Sequence, residues 1–246
     1  MPNAYFTIAK PANDPFKGYL PGSTERAELK AELAKQSSEI VKIPLIIGGK
    51  EVWTDRTIKV TMPHDHEHVI AECYMAGEKE LKMAIDAALA AKADWEAMPW
   101  EHRSAIFLKA ADMITGSYRK VLNAATMLGQ SKTVFQAEID IAELADFLRF
   151  GVWSAQEIFK DQPASEAGIW NRQDYRPLDG FICAITPFNF TSIGGNLATA
   201  PAIVGNVALW KPSRTAVLSN YYYMKLLMWC GLPAGVINFV PCTGGD

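Results

Sequence analysis

Between Gly180 and Trp210 the chain carries no charged residue, and few folds accommodate so long an uncharged run. As one helix it would be long enough to cross a bilayer. Pro187, Pro201, the Gly194-Gly195 pair and the amides of Asn189, Asn196 and Asn206 would break that helix or place polar groups in lipid. The run is therefore not a membrane span; it reads as strand, loop, small-residue helix and strand inside a core. Phe181 to Ile185 is an unbroken apolar stretch of the kind found in parallel strands buried on both faces. A helix from about Ser192 to Val204, a strand Val207 to Trp210, a helix Ala216 to Cys230 closed by Gly231 and Pro233, and a strand Val236 to Val240 follow. This β-α-β-α-β order predicts an α/β fold, a doubly wound parallel sheet with right-handed crossovers and flanking helices.

Upstream, residues 23 to 40 have helical spacing, with Ser23 or Thr24 as N-cap and Leu29, Leu33 and Ile40 along one stripe. From Val41 to Thr61 the signal turns to β. Ile46-Ile47, a Gly48-Gly49 turn, Val52-Trp53 and the alternating Ile58 and Val60 predict a hairpin plus a third strand. Glu78 to Lys160 is almost wholly helical: a first helix carrying Leu81, Ile85 and Leu89, a second stopped by Gly116, and a third stopped by Gly129. A longer helix follows from about Lys132, with Ile141, Leu144, Phe147 and Leu148 at helical spacing, and Pro163 marks its end. Ile169 to Arg176 alternates like an exposed strand, and Pro177-Leu178-Asp179-Gly180 supplies a turn.

Charge and cysteine usage narrow the function. A net charge of -3 with mixed signs offers no basic field for a nucleic-acid backbone. The four cysteines are scattered and include no C-x-x-C pair, so a reducing compartment fits better than a disulfide scaffold. Cys183, Cys230 and Cys242 read as small buried hydrophobes rather than nucleophiles. Met1 to Phe6 lacks the basic and apolar regions of a leader, so a transit peptide is absent or already removed. His64, His66 and His68 alternate with Asp65 and Glu67, and on a strand three imidazoles share one face as metal ligands do. Met62-Pro63 directly before them points instead to a surface loop.

In open α/β sheets the ligand crevice lies beyond the carboxyl ends of the strands. Three stretches matter: Thr186 to Phe190, Lys211 to Arg214, and Pro241 to Asp246. The first turn, Thr186 to Gly195, is not G-x-G-x-x-G, so a standard Rossmann phosphate grip is not expected. Asn189 sits in a loop stiffened by Pro187 and held between two aromatic rings. Its amide suits an oxyanion donor, but from position alone the N-cap of the following helix is the favoured reading, Asn being preferred there. Lys211 ends an uncharged stretch, Ile203 to Trp210; a ribose or phosphate contact and an ordinary solvated lysine both remain open.

The runs Ile185-Thr186-Pro187-Phe188-Asn189-Phe190 and Leu209-Trp210-Lys211-Pro212-Ser213 resemble the aldehyde dehydrogenase superfamily. Ile106 to Met113, Gln136 to Asp140 and Glu143 to Phe150 extend the resemblance over nearly the whole chain. Phe188, where many general members have Trp, points to the 1-pyrroline-5-carboxylate dehydrogenase branch. The resemblance implies an aldehyde dehydrogenase-like fold in which residues 1–162 form the N-terminal part of an NAD-binding domain, hairpin and helices. Residues 163–179 would be a bridging and oligomerisation strand, and 180–246 the Rossmann-like β-α-β-α-β part, with the catalytic domain absent.

It also implies roles. Asn189 becomes the side-chain donor to the oxyanion of a tetrahedral hemithioacetal, and Phe190 packs on the aliphatic part of the substrate. Thr186 and Lys211, with Ser213 close by, match cofactor-contacting positions, Lys211 at the adenosine ribose. Glu143 matches a carboxylate that faces the substrate amine, its plain alternative being a solvated surface Glu. The family chemistry is attack of a cysteine thiolate on the aldehyde, hydride transfer to the nicotinamide, and hydrolysis of the thioester by water activated by a carboxylate. The implied reaction is oxidation of L-glutamate γ-semialdehyde to L-glutamate with NAD and no metal. A homo-oligomer, and a proline dehydrogenase partner by family analogy, are implied too, in the cytoplasm or, in a eukaryote, the mitochondrial matrix.

Two departures stand out. General members often place a carboxylate three residues after the lysine to accept from the ribose diol; Arg214 stands there instead. Arginine pairs with a 2′-phosphate, which leaves NADP open beside NAD. The family's nucleophilic cysteine and activating glutamate lie well downstream of the Lys-Pro-Ser motif and are not expected in this chain, which reads as an N-terminal fragment inactive alone. The alternatives are a dehydrogenase of another semialdehyde and a non-catalytic cofactor-binding or assembly module.

Overall fold

The computed structural model describes residues 6–246; the leader reading of the N-terminus falls almost entirely on Met1 to Tyr5, outside the described residues. An extended arm, residues 6–22, leads into helix α1 (Thr24–Ser37), whose N-cap Ser23 accepts from Arg26 N. Strands β1 (Val41–Ile43), β2 (Leu45–Ile47), β3 (Lys50–Val52), β4 (Thr57–Met62) and β5 (Asp65–Tyr74) follow. The predicted glycine turn joins β2 to β3, with Gly48 and Gly49 at φ 57° and 73°, backbone that favours glycine at both central positions of a hairpin. Strands β1, β5 and β4 form a separate small sheet, β4 and β5 antiparallel. The surface loop expected around His64 is therefore a strand, turn and strand. His64 Nδ1 meets Ser131 Oγ at 2.7 Å and His68 Nε2 meets the Ser37 carbonyl at 2.7 Å, so the imidazoles go to separate neighbours.

Helices α2 (Glu78–Ala97), α3 (Trp100–Thr115), α4 (Arg119–Gln130) and α5 (Val134–Lys160) fill the predicted helical stretch. Gly116 stops α3 as expected. Gly129 does not stop α4, which runs on to Gln130 and ends at Ser131 in left-handed backbone, φ 54° and ψ 36°. A serine carries that conformation here while its hydroxyl is bonded to His64. Helix α5 opens with a capping box between Thr133 and Gln136.

After α5, residues 163–179 depart from the expected strand. Ile169 to Arg176 has a strand's alternation without a neighbour: one antiparallel bridge, Glu166 to Ile169, is its only ladder contact among the described residues. Trp170 is 82% exposed. Alternation sets which face a side chain takes, but a strand also needs a hydrogen-bonded partner.

Strand β6 (Ile182–Ile185), helix α6 (Thr191–Ile203), strand β7 (Ala208–Lys211), a 3₁₀ turn (Arg214–Ala216), helix α7 (Val217–Cys230) and strand β8 (Ile237–Phe239) realise the β-α-β-α-β series. The sheet order is β3-β2-β8-β7-β6, with β6, β7 and β8 parallel and β2 antiparallel to β8. Trp210 on β7 packs edge-on against Tyr223 of α7 and Phe239 of β8, ring centroids 6.1 and 5.2 Å apart. Strand β6 is an edge, covered on one face only. Ala184 is buried, whereas Cys183 is exposed and Ile185 is 65% exposed. This corrects the expectation of burial on both faces, because an apolar run reads alike for strands covered on one face or two.

Two contacts set how these layers meet. Glycines let α6 lie close on its neighbours: a Cβ added at Gly195 would stand 2.6 Å from Tyr223 Cε1 and 3.0 Å from Leu144 Cδ1. The N-terminal arm is pinned by Glu138 of α5, which is fully buried. It accepts from Lys17 N and the Tyr19 hydroxyl at 2.7 Å each and from Asn123 Nδ2 at 2.9 Å, and it pairs with Arg119. Arg119 also pairs with Asp14 of the arm. Burial pushes the Glu138 carboxyl up, but the Arg119 guanidinium and the other donors outweigh it and hold the group below the ordinary carboxylate range.

Gly195→Ala should lower stability by about 1–3 kcal/mol, the usual cost of overpacking, even though alanine is the better helix former. A urea midpoint that stays put or rises would contradict the close packing of α6. The depressed Glu138 carboxyl contributes stability that is complete above its unfolded pKa of about 4.3 and is lost as pH falls below that value. Glu138→Gln should therefore melt below wild type at neutral pH, with the gap narrowing as pH falls below about 4.3; thermal scans from neutral pH into that acid range that show a constant gap would rule it out.

Candidate active site at the strand tips

Because β6, β7 and β8 are parallel neighbours, their carboxyl ends open side by side. Ile185 and Lys211, the last residues of β6 and β7, are register partners. Thr186, one residue further, carries the ladder on, its amide donating to the Lys211 carbonyl at 3.1 Å. Its buried hydroxyl accepts from Trp210 Nε1 at 3.2 Å and lies 3.4 Å from the same carbonyl. That hydroxyl is committed to joining two strands, with one lone pair left for a ligand. Lys211 and Ser213 are half-buried, Ser213 meeting the Thr215 hydroxyl at 3.4 Å, and Arg214 is exposed at the start of the 3₁₀ turn.

Asn189 lies in the loop between β6 and α6 and is exposed. The N-cap of α6 is Phe190, in extended backbone and without a side-chain cap bond. Of the two readings open for Asn189, capping is thus excluded. The cap comes from another helix. Asp140 of α5, fully buried, accepts from Thr191 N at 3.0 Å through Oδ2 and from Ser192 N at 2.8 Å through Oδ1. Its negative charge answers two of the free amides at the positive end of α6. Lys132 Nζ stands 2.6 Å from Asp140 Oδ2 and 4.2 Å from the centre of the Phe190 ring, a cation–π contact. Gln130 Nε2 donates to the Phe188 carbonyl at 3.3 Å. The turn is held on both sides of Asn189, whose own side chain makes no hydrogen bond among the described residues.

Glu143, on α5 three residues beyond Asp140, is half-buried and its Oε2 accepts from Ser192 Oγ at 2.8 Å. It lines a cavity of about 350 Å³ together with Phe16, Ile139, Phe147 and Phe150. The solvated-surface reading of Glu143 does not hold. Glu143 is thus tied to the start of α6 through Ser192, while the cavity it lines is bounded by α5 and the N-terminal arm and includes none of Thr186, Asn189, Phe190 or Lys211.

Asp140 and Lys132 escaped the sequence reading. The signal for Asp140 is a carboxylate directly beside Ile141 and four residues before Leu144 in a stripe that α5 buries, a placement that requires a partner. Lys132 precedes the helix and gives no such sign. The cysteines divide. Burial pushes the Cys73 thiol up to about 12 and raises Cys230 and Cys242 as well, so none of these three is poised as a thiolate. Cys183, expected to be buried, is exposed because it faces the open side of the edge strand. Among the described residues no helix is long and apolar enough to cross a membrane.

The profile of the aldehyde dehydrogenase family matches residues 52–246. A delta-1-pyrroline-5-carboxylate dehydrogenase of Agaricus bisporus is 51% identical over 241 residues, covering 97% of this chain and 44% of the relative. The mitochondrial delta-1-pyrroline-5-carboxylate dehydrogenase of Dictyostelium discoideum is 51% identical over 239 residues, covering 96% and 43%. The crystal structure of the delta-pyrroline-5-carboxylate dehydrogenase of Mycobacterium tuberculosis bound with NAD matches with a TM-score of 0.97 at 49% identity, covering 98% of this chain and 46% of that one. The chain spans about half the length of the relatives it matches.

Proposed function

The chain belongs to the aldehyde dehydrogenase family, and from that premise we propose that it forms the N-terminal portion of an NAD-dependent dehydrogenase that oxidises L-glutamate γ-semialdehyde to L-glutamate. The carrying observation is Asn189, an amide relieved of capping, held at the tip of β6 and free of internal partners. Residues 1–162 and 180–246 belong on this reading to one cofactor-binding domain, since α5 supplies the cap of α6. The exposed segment 163–179, with Trp170, is assigned to contact between copies of the chain in a homo-oligomer.

The strand tips suit a dinucleotide. Half-buried Lys211 and Ser213 stand beside the β6 tip, and no glycine-rich grip occupies the first turn, which favours a ribose diol over the pyrophosphate as the group they hold. Thr186 contributes a remaining lone pair. When bound, NAD supplies the hydride acceptor. Exposed Arg214 suits a 2′-phosphate, which supports NADP as the second cofactor reading.

Asn189 Nδ2 donates to the aldehyde oxygen as it takes up charge on attack by the nucleophile, a stabilisation strongest where the donor is fixed beforehand. The Phe190 ring, under Lys132, packs on the aliphatic carbons of the substrate. Glu143 accepts from its ammonium, a charge-assisted bond in a cavity lined by Phe16, Phe147 and Phe150 with Asn13 and a second carboxylate, Asp146. The thiolate and the carboxylate that activates the hydrolytic water are proposed to come from sequence following Asp246, the part of the relatives that this chain does not span. A proline dehydrogenase acting one step earlier is the proposed partner by family analogy. The cytoplasm, or the mitochondrial matrix in a eukaryote as the name of the Dictyostelium relative suggests, is the proposed location.

In the polypeptide of the complete reading frame, Asn189→Ala should lower kcat by roughly 100-fold to 1000-fold, and a loss below about tenfold would refute the oxyanion role. Glu143→Gln should raise KM for glutamate semialdehyde by roughly tenfold to 100-fold, the scale of one hydrogen bond to a charged group. Succinate semialdehyde, which lacks the amine, should be handled as before; an equal loss on both substrates would remove Glu143 from substrate recognition.

A further inference from the structure

We propose that Asp140 is a positioning residue for the Asn189–Phe190 tip, acting through the first amides of α6 on one side and through Lys132 on the other. The inference rests on the reading of Asn189 as the oxyanion donor. Helix α6 has no capping side chain of its own. A Ser, Thr, Asp or Asn at position 190 would cap it locally; an aromatic stands there, and the capping charge arrives from α5. Position 190 is thereby released to present a ring, and Asn189 is released to present its amide.

Asp140 answers three donors, Thr191 N, Ser192 N and Lys132 Nζ at 2.6 Å; the Thr126 hydroxyl, 3.3 Å away, gives its proton to Gln130 Oε1 at 2.7 Å. Each has a directional consequence. Fixing the Thr191 and Ser192 amides sets the plane from which the backbone of Phe190 and Asn189 leaves the helix. Holding Lys132 sets the cation 4.2 Å from the centre of the Phe190 ring, which limits where that ring can turn. Because Asp140 is fully buried, its carboxylate cannot drift to water when these partners loosen. One group thus fixes both the backbone behind the donor and the ring beside it.

The test is a double-mutant cycle in the polypeptide of the complete reading frame, with NAD and 1-pyrroline-5-carboxylate as probes. Asp140→Asn keeps the volume and one acceptor. It should lower kcat by roughly tenfold to 100-fold, the scale of a misplaced reacting group, and leave KM for NAD within about twofold because the residue acts at a distance from the ribose contacts. In an Asn189→Ala background the same substitution should cost less than about threefold in kcat, since the group being positioned is gone. Equal losses in both backgrounds overturn the proposal and leave the oxyanion reading intact. An Asn189→Ala loss below about tenfold sinks that underlying reading instead. If Asp140→Asn fails to fold, Lys132→Met carries the same cycle: it keeps the cap and removes the cation at Phe190, with a loss of about threefold to tenfold expected only where Asn189 is present. Equal Lys132→Met losses in the two backgrounds overturn the proposal as surely.

Discussion

A carboxylate withdrawn from water stays ionised only when donors replace the solvent it has lost, and helix α5 carries two such groups two residues apart. On a helix that spacing turns them to nearly opposite sides. Glu138 gathers the arm, through Lys17 N, Tyr19 and the Arg119–Asp14 pair. Asp140 gathers the start of α6. Helix α5 is therefore the spine on which an otherwise extended N-terminal segment and the parallel-sheet layer are both hung. Removing Glu138 leaves the Arg119 guanidinium with Asp14 alone for a carboxylate and takes their acceptor from the Lys17, Tyr19 and Asn123 donors. Removing Asp140 leaves the Lys132 ammonium without its ion-pair partner, a costly defect where charge is withdrawn from water.

The parallel series was legible because its signals are local and redundant. An uncharged run interrupted by Pro187, the Gly194-Gly195 pair and Pro201, and a later helix closed by Gly231 and Pro233, leave little freedom in where strands and helices begin. The Gly48-Gly49 turn was legible for the same reason, since it depends on residues next to each other in the chain, whereas the capping box between Thr133 and Gln136 passed unread although the helix it opens was expected from about Lys132. What failed depended on partners remote in sequence. The open face of β6 shows at Cys183 and Ile185, and apolar residues do not record whether anything covers them. Ile169 to Arg176 alternates correctly but has no strand beside it. Ser131, not Gly129, ends α4, in a turn whose serine is bonded to a histidine from another sheet.

The site divides along the same line. Strand-end geometry made Thr186, Asn189 and Lys211 visible, since a β-α unit fixes where its loop must open. The device that holds the loop was invisible, because Lys132, Asp140 and Thr191 meet only after two helices have packed. Thr186 illustrates a further limit: position at a strand tip marks a candidate for ligand contact, yet its hydroxyl is largely taken up by Trp210 and the Lys211 carbonyl. Proximity to the crevice and availability for binding are separate properties, and only the second needs the three-dimensional hydrogen-bond count.

On the proposed reading of Asn189 as the oxyanion donor, that distinction bears hardest on this residue. Had its amide capped α6, it would be satisfied in the ground state and would have to break one bond to form another as charge develops. A donor gains most when it is fixed yet unspent, because no reorganisation is then needed at the moment of reaction. Capping from α5 leaves the amide unspent and holds the backbone that carries it. The helix end is satisfied by a charge already buried and already paired with Lys132, and the asparagine side chain keeps only its own torsions to settle. Transferring the cap from residue 190 to residue 140 thus separates two demands that a local N-cap would have forced on one short turn, stability of the helix and readiness of the donor.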